Sequence, residues 1–401
     1  MRGESMSATC KCLLACALVV GLAVVATPRA LAQTLSEVYS FNGGSNGGIP
    51  LSGLTRGAKG ALYGTTSVGG SGYGTLFKLE PSGSSWTFSL LHTFTSGADG
   101  ASPTARLRFG TDGKLYGTTP LGGSSGAGTV FRLAPSGESV LYSFLGGSDG
   151  SQPSSGDLVF DHAGNIYGTT SYGGSASNGT VFELVRHKKG KWSEKLLYSF
   201  GQGTDGAVPV GGVLFDKAGS LYGTTSMGGA YGYGTVYQLK RSGSVWTETI
   251  LYNFQDGNDG GTPYAGLIRD KSGNLYGATV SGGSGQGGTV FELTPGTGGW
   301  TFTVLYSIAG WSVSGPFRDL FLDASGDIYG TTHCDGTYQT GTVYELTPSN
   351  GTWTEKWEYD FQTSGGYFLF SSPVVDKEGN VYGTASVGGP NNYGVVFEIT
   401  P

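Results

Sequence analysis

A Tyr-Gly pair recurs at Tyr63, Tyr116, Tyr167, Tyr222, Tyr276, Tyr329 and Tyr382, at spacings of 53, 51, 55, 54, 53 and 53 residues. A period of this size constrains the fold more than any composition does. Each unit is too small to bury its own apolar face and must stack on its neighbours. All seven pairs have Gly three residues earlier (Gly60, Gly113, Gly164, Gly219, Gly273, Gly326, Gly379), and five have Asp six residues earlier (Asp161, Asp216, Asp270, Asp323, Asp376). D-x-x-G between two short apolar runs reads as a hairpin turn closing through a left-handed Gly.

Each unit carries four strand-like runs, A to D in chain order, as in DLVFD (157–161), NIYGTT (165–170), GTVFEL (179–184) and KLLYSF (195–200). They are short and rich in Val, Leu, Phe, Tyr and Thr. No sustained helical period appears in 34–401. The 75 Gly have no three-residue period, Pro is only 15 and aromatics reach 12%, which excludes collagen-like and simple disordered chains. The expected fold is all-β: a seven-bladed β-propeller of four antiparallel strands per blade, one domain over 33–401. The last unit stops after strand C, whereas SEVYSF (36–41) matches strand D with no A, B or C before it. That segment is expected to complete the last blade, since an open ring leaves an unpaired edge. The Gly after each repeat Tyr is expected where neighbouring sheets approach closely. Trp86, Trp192, Trp246, Trp300 and Trp353, at the start of strand D, are expected to cover the gap between blades.

Residues 1–32 read as a secretory signal peptide: Arg2 and Lys11, an apolar run over 13–26, then Ala30-Leu31-Ala32 before Gln33. The run is too short for a membrane span. Cys16 lies near its start, where a lipid-modified Cys is not expected. Secretion or a periplasmic location follows as the expectation. Removal of the leader leaves 20 basic and 28 acidic side chains, a balance that argues against nucleic acid. The basic cluster Arg186, His187, Lys188, Lys189 and Lys191 reads as a solvated loop between strands. Cys334 alone then remains, so no internal disulfide can form and stability must come from packing.

The recurring LYGTTS-x-GG, G-T-V-F-x-L, LYSF and G-x-DG-x-x-P segments resemble the GloVer (Gloeo/Verruco-type) tandem repeat family of bacterial surface or secreted proteins, over essentially all of 34–401. The resemblance implies a repeat fold and export, and no established activity. Members often carry a C-terminal anchor. Here Pro401 follows strand C directly, which favours a soluble protein over an anchored one.

In a propeller the D–A and B–C loops share one face around the channel, and here those are the Gly-rich loops. Asp99, Asp149, Asp205 and Asp259 each precede Gly and read as turn residues, without the D-x-D-x-D spacing of a calcium loop. Tyr73, Tyr172, Tyr231, Tyr233, Tyr338 and Tyr393 lie in the B–C loops, where rings with polar tips suit sugar faces or a protein partner. Unit six breaks the pattern twice: IAGWSVSGPF replaces the usual D–A loop and places Trp311, and HCDGTYQT replaces S-x-GG and places His333, Cys334, Asp335 and Tyr338. Unit seven adds Tyr367, Phe368 and Phe370. Residues 309–318, 333–340 and 364–371 form the candidate binding sector, with Trp311, His333, Asp335, Tyr338, Tyr367, Tyr231, Tyr233 and Tyr393 as candidate ligand contacts. His333 and Asp335 suit acid–base work and Cys334 a nucleophile or metal ligand, but no positioned second group is visible, and structural drift is the favoured reading. No phosphate loop, dinucleotide fingerprint, Ser/His/Asp set or paired metal motif is present. A monomeric, cofactor-free binding propeller for a carbohydrate or extracellular protein is the leading reading. An extracellular polysaccharide hydrolase or lyase and a structural envelope component are the alternatives.

Overall fold

A computed structural model describes residues 33–401 apart from 154, 155, 202, 311–314, 350, 363 and 364. The leader at 1–32 and Trp311 lie outside the described residues. Seven antiparallel blade sheets follow one another along the chain, with one further two-stranded sheet, Gly206–Ala207 with Met227–Gly228, among the described residues. Strands A to D are Thr55–Arg56, Leu62–Thr66, Thr75–Ser82 and Ser85–Thr93 in blade 1, and Arg108–Phe109, Leu115–Thr119, Thr129–Ala134 and Gly137–Ser143 in blade 2. Blade 3 uses Val159–Phe160, Ile166–Tyr172, Thr180–Arg186 and Trp192–Ser199, and blade 4 uses Leu214–Phe215, Leu221–Thr225, Thr235–Ser242 and Val245–Asn253. Blade 5 has Ile268–Arg269, Leu275–Ala278, Gln286–Gly296 and Gly299–Ala309, and blade 6 has Phe321–Leu322, Ile328–Thr331, Thr342–Ser349 and Thr352–Asp360. Blade 7 takes Val374–Val375, Val381–Ala385 and Val395–Thr400 from the C-terminal end and Thr34–Ser40 from the N-terminal end. Thr34 pairs with Thr400 and Ser40 with Val395, so the N-terminal strand is the D strand of the last blade, as its sequence indicates.

The core is not one cluster but a ring of seven, each formed by two consecutive blades. Blades 3 and 4 share Tyr167, Val181, Leu221, Tyr237 and Trp246. Blades 7 and 1 share Val374, Tyr382 and Val396 with Leu54, Leu62 and Phe77. Strand pairing and apolar burial therefore close the circle together. The Trp expectation holds: Trp86 meets Tyr382 of the preceding blade edge-on at 6.0 Å, Trp300 meets Tyr222 at 5.8 Å and Trp353 meets Tyr276 at 6.0 Å.

The Gly after each Tyr serves a different purpose from the expected sheet-to-sheet approach. Gly168 lies opposite Phe182 in its own sheet, and a Cβ built on it would lie 2.7 Å from Phe182 Cζ. The strand C ring folds across the glycine of strand B, so the space is taken within the blade.

Buried hydroxyl pairs tie strand B to strand C. Thr66 meets Thr75 at 2.8 Å, and the contact repeats through Thr332 and Thr342 in blade 6 at 2.9 Å. Blade 7 replaces the pair with Ala385 and Val395, an exchange of both partners that leaves no polar atom stranded. The preceding Thr reaches the next blade. Thr169 donates to the Gly211 carbonyl, Thr224 to Ala265, Thr331 to Ser371 and Thr384 to Ser52, the last across the ring closure.

Alternating strand directions put the D–A and B–C loops on one face, called upper here. In blades 1 to 5 and 7 the D–A loop lies on the B–C loop of the blade it leads into, as where Gly48 bridges Val68 and Ala101 bridges Leu121. Backbone packs on backbone: a Cβ on Gly69 would lie 2.6 Å from Gly47 Cα. The loops also latch consecutive blades. Val208 N–H donates to the Asn178 carbonyl of blade 3, while its carbonyl accepts from Ser226 of blade 4. This position takes a positive φ in Ile49, Ser102, Gln152, Val208, Thr262 and Phe368; both hydrogen bonds hold the strain in place at Ile49, Val208, Thr262 and Phe368, whereas Pro120, at the Ser226 position of blade 2, has no N–H to give Ser102.

Candidate binding site at the channel mouth

The segments leading into the seven A strands converge on the axis. Two residues before the first residue of strand A stand Gly53, Arg106, Asp157, Gly212, Gly266, Asp319 and Ser372. The small residues let the segments approach: a Cβ on Gly212 would lie 2.5 Å from the Asp157 carbonyl oxygen. The charged ones fill the axis. Arg106 Nε donates to both Asp157 oxygens at 3.2 and 3.0 Å, and its Nη2 also reaches Asp157 Oδ2. Arg318, where other blades have Ser, Ala or Gly, donates from Nε to the carbonyls of Leu51 and Phe370, both at 3.1 Å. Burial pulls its guanidinium down to about 10, still charged at neutral pH. Gly266 N–H donates to Asp319 Oδ1 at 2.6 Å, and burial together with Asp157 holds the Asp319 carboxyl above the usual range. These contacts link blades 1, 2, 3, 5, 6 and 7 near the axis.

Above Arg318 the rings gather. His333 lies 4.0 Å from Phe370, 4.7 Å from Phe368 and 5.4 Å from Phe317, centroid to centroid. Phe317 also meets Phe370 at 5.3 Å and Tyr264 at 5.4 Å, and Phe368 meets Tyr367 at 4.8 Å. All are half-buried. The three segments singled out in the sequence thus meet at the mouth, joined by Tyr264 of blade 5. Burial among these rings pushes the His333 imidazole down to about 4, so it is neutral at ordinary pH, and its Nδ1 is buried without a hydrogen-bond partner among the described residues.

The two breaks in unit six are one physical change. Asp335 stands where the other B–C loops carry the first Gly of the GG pair, the residue packed beneath a D–A loop glycine. That loop is rewritten in unit six. Asp335 is buried; Oδ1 accepts from Gly336 N–H at 2.7 Å, while Oδ2 is unpartnered among the described residues. Burial, with Asp360 nearby, holds the Asp335 carboxyl above its usual range. Its titratable neighbours are the Asp360 and Glu355 carboxyls and the neutral Tyr306 hydroxyl rather than His333. His333 and Asp335 face different groups and do not form an acid–base pair. Burial pushes the Cys334 thiol up, which keeps it protonated and a poor nucleophile.

The Tyr candidates divide. Tyr338, Tyr231 and Tyr233 are exposed, with Tyr338 Oη accepting from Gln362 Nε2 at 3.2 Å. The Tyr393 ring covers Gly48, where a built Cβ would lie 2.9 Å from its Cδ1, which makes it partly a packing residue. Tyr231 and Tyr233 lie on blade 4, apart from the ring cluster of blades 5 to 7. The Asp-Gly residues act as turn caps, as their sequence indicates: Thr95 N–H donates to Asp99 at 2.9 Å and Gln255 N–H to Asp259 at 3.0 Å.

A family model described as the Gloeobacter/Verrucomicrobia repeat matches residues 26–228 and 209–401. The chain belongs to this repeat family. No curated protein matches it. Among solved structures it is similar to a candidate 6-phosphogluconolactonase from Bacteroides uniformis, with 17% identity over 77% of this chain and 84% of that one and a TM-score of 0.50. A candidate oxidoreductase (glucose dehydrogenase) from Thermus thermophilus is 16% identical over 74% of this chain and 95% of that one, with a TM-score of 0.46. At such identities the first likeness speaks for the fold alone.

The axial residues Arg106, Asp157, Arg318 and Asp319 escape a reading confined to loops. Their signal is the same as in unit six: a charge in a repeat column that elsewhere holds Gly, Ala or Ser.

Proposed function

We propose that this protein is an exported carbohydrate-binding propeller whose site is the aromatic mouth formed by Tyr264, Phe317, His333, Phe368 and Phe370. The observation that carries the reading is the clustering of five half-buried rings on the blades where the repeat is broken. Packing that serves the repeat does not call for them. Flat apolar faces bordered by polar tips suit the C–H faces of a sugar ring. A neutral imidazole adds hydrogen-bonding capacity without a charge to desolvate.

A glycan array with the purified protein, beside Phe317→Ala and a Tyr231→Ala/Tyr233→Ala control, tests the proposal. Selective glycan binding lost in Phe317→Ala and kept in the control is expected. No glycan bound, or binding lost only in the blade 4 control, overturns it; the first result would favour a protein partner.

A further inference from the structure

The lower half of the channel, on the side of the A–B turns, is a separate chamber with a different chemistry. A cavity of about 280 Å³ is lined by Arg56, Arg106, Arg108, Phe109, Phe321 and Val374, among others. A second of about 190 Å³ shares Arg106 and Arg108 and adds Asp157 and Asp319. The arginines are not equivalent. Arg56 pairs with Asp376 at 3.4 Å. Arg106 takes both oxygens of Asp157. Arg108 comes only to within 3.5 Å of the Asp157 oxygen that Arg106 already occupies, and its side chain is 43% exposed. One guanidinium therefore faces the cavity with its fork largely unused.

The charge balance agrees. Arg106, Arg108 and Arg318 surround the axis, against the carboxyls of Asp157 and Asp319. A positive surplus inside a chain of formal net charge −6 is a local departure from the molecule's own field. Low-dielectric walls strengthen its attraction for an anion.

We propose that this chamber binds a small organic carboxylate bearing a ring or apolar body, with the Arg108 fork on its two oxygens. A planar guanidinium donates two parallel N–H groups that match a carboxylate's geometry. A surplus of one charge matches a monoanion rather than a phosphate dianion. Phe109, Phe321 and Val374 supply apolar walls for the body, the combination of convergent polar groups and apolar lining that small-ligand sites use. No residue of the aromatic mouth lines either cavity, so the proposal stands or falls independently of it.

Isothermal titration of the protein with benzoate and with glucuronate, and with benzyl alcohol, glucose and inorganic phosphate as controls, tests this. Saturable binding of at least one carboxylate is expected, at least tenfold weaker in Arg108→Gln, with its neutral counterpart not binding and phosphate at least tenfold weaker. Because Arg108 is partly exposed, Arg108→Gln should melt as the parent does. If it does not fold, Arg108→Lys carries the test, since it keeps the charge and loses the fork. Absence of saturable carboxylate binding, affinity unchanged in the variant that folds, or phosphate binding as tightly as the carboxylates overturns the proposal.

Discussion

Tyr237 and Tyr344 carry hydroxyls that should weaken the fold. Both rings are fully buried, and neither hydroxyl has a hydrogen-bond partner among the described residues. The other five blades place Phe77, Phe131, Phe182, Phe291 and Phe397 at the same point, opposite the repeat glycine. In blade 4 the hydroxyl is also the crowding atom, since a Cβ on Gly223 would lie 2.5 Å from Tyr237 Oη. An unsatisfied buried polar group costs about 1–3 kcal/mol. Tyr237→Phe should therefore stabilise the protein by about 1–2 kcal/mol, the lower part of that range, because the relaxed pocket recovers little packing. Tyr344→Phe should do the same. The two rings sit in different inter-blade clusters, so the effects should add to roughly 2–4 kcal/mol in the double variant. With an unfolding entropy of about 2.1 cal/mol/K per residue, a domain of roughly 370 residues moves by little more than about 1 °C per kcal/mol, so the double variant should melt about 3–5 °C higher. Urea unfolding and calorimetry on the parent, both single variants and the double read this out. Phe182→Tyr in blade 3 is the converse and should lose a similar amount. A neutral or destabilising result in both Tyr→Phe variants would refute the reasoning, because it would mean that each hydroxyl is hydrogen-bonded in solution.

Two further outcomes follow from the same geometry. Burial first, and then the Asp of the preceding D–A loop (Asp99, Asp149, Asp205), push Glu138 and Glu194 up to about 7 and Glu248 to about 8. The folded chain holds protons that the unfolded chain releases near the ordinary Glu range, so this contribution is complete below about 4.5 and is lost as pH rises through 7–8. The urea midpoint should fall from pH 5.5 to 8.5 and Glu248→Gln should flatten the slope; a midpoint that rises over that range contradicts the assignment. Deleting residues 33–41 should remove the D strand of blade 7 and Phe41 from the cluster shared with blade 1, opening the ring. A thermal transition as high and as cooperative as the parent's would show that the N-terminal strand is not structural.

The repeat made the blades legible because a column of seven equal residues reports one local job performed seven times. Asp161 shows this: its carboxylate accepts from Asn165 N–H at 2.9 Å and from the Tyr167 hydroxyl at 3.2 Å, so the spacing of Asp, Gly and Tyr encodes a complete turn within seven residues. The breaks in the column were legible for the same reason, and His333, Phe368 and Phe370 do meet. Their chemistry was not legible. His333 and Asp335 are two apart in sequence, yet one turns to the rings of blade 7 and the other to the acidic side chains around Asp360.

The sequence by itself determined the seven blades, their four strands, the turn residues and the closure by the N-terminal strand. Each of these depends on residues near one another in the chain or on a strand whose partner is missing. The tertiary structure decided what the repeat glycine makes room for, which arginine is left with an unused fork and which rings converge. Those are relations among residues 14 to 267 positions apart, the longest of them made only when the ring closes, as between Arg318 and the Leu51 carbonyl. Burial, charge and contact at the axis are properties of that closure, and no single repeat contains them.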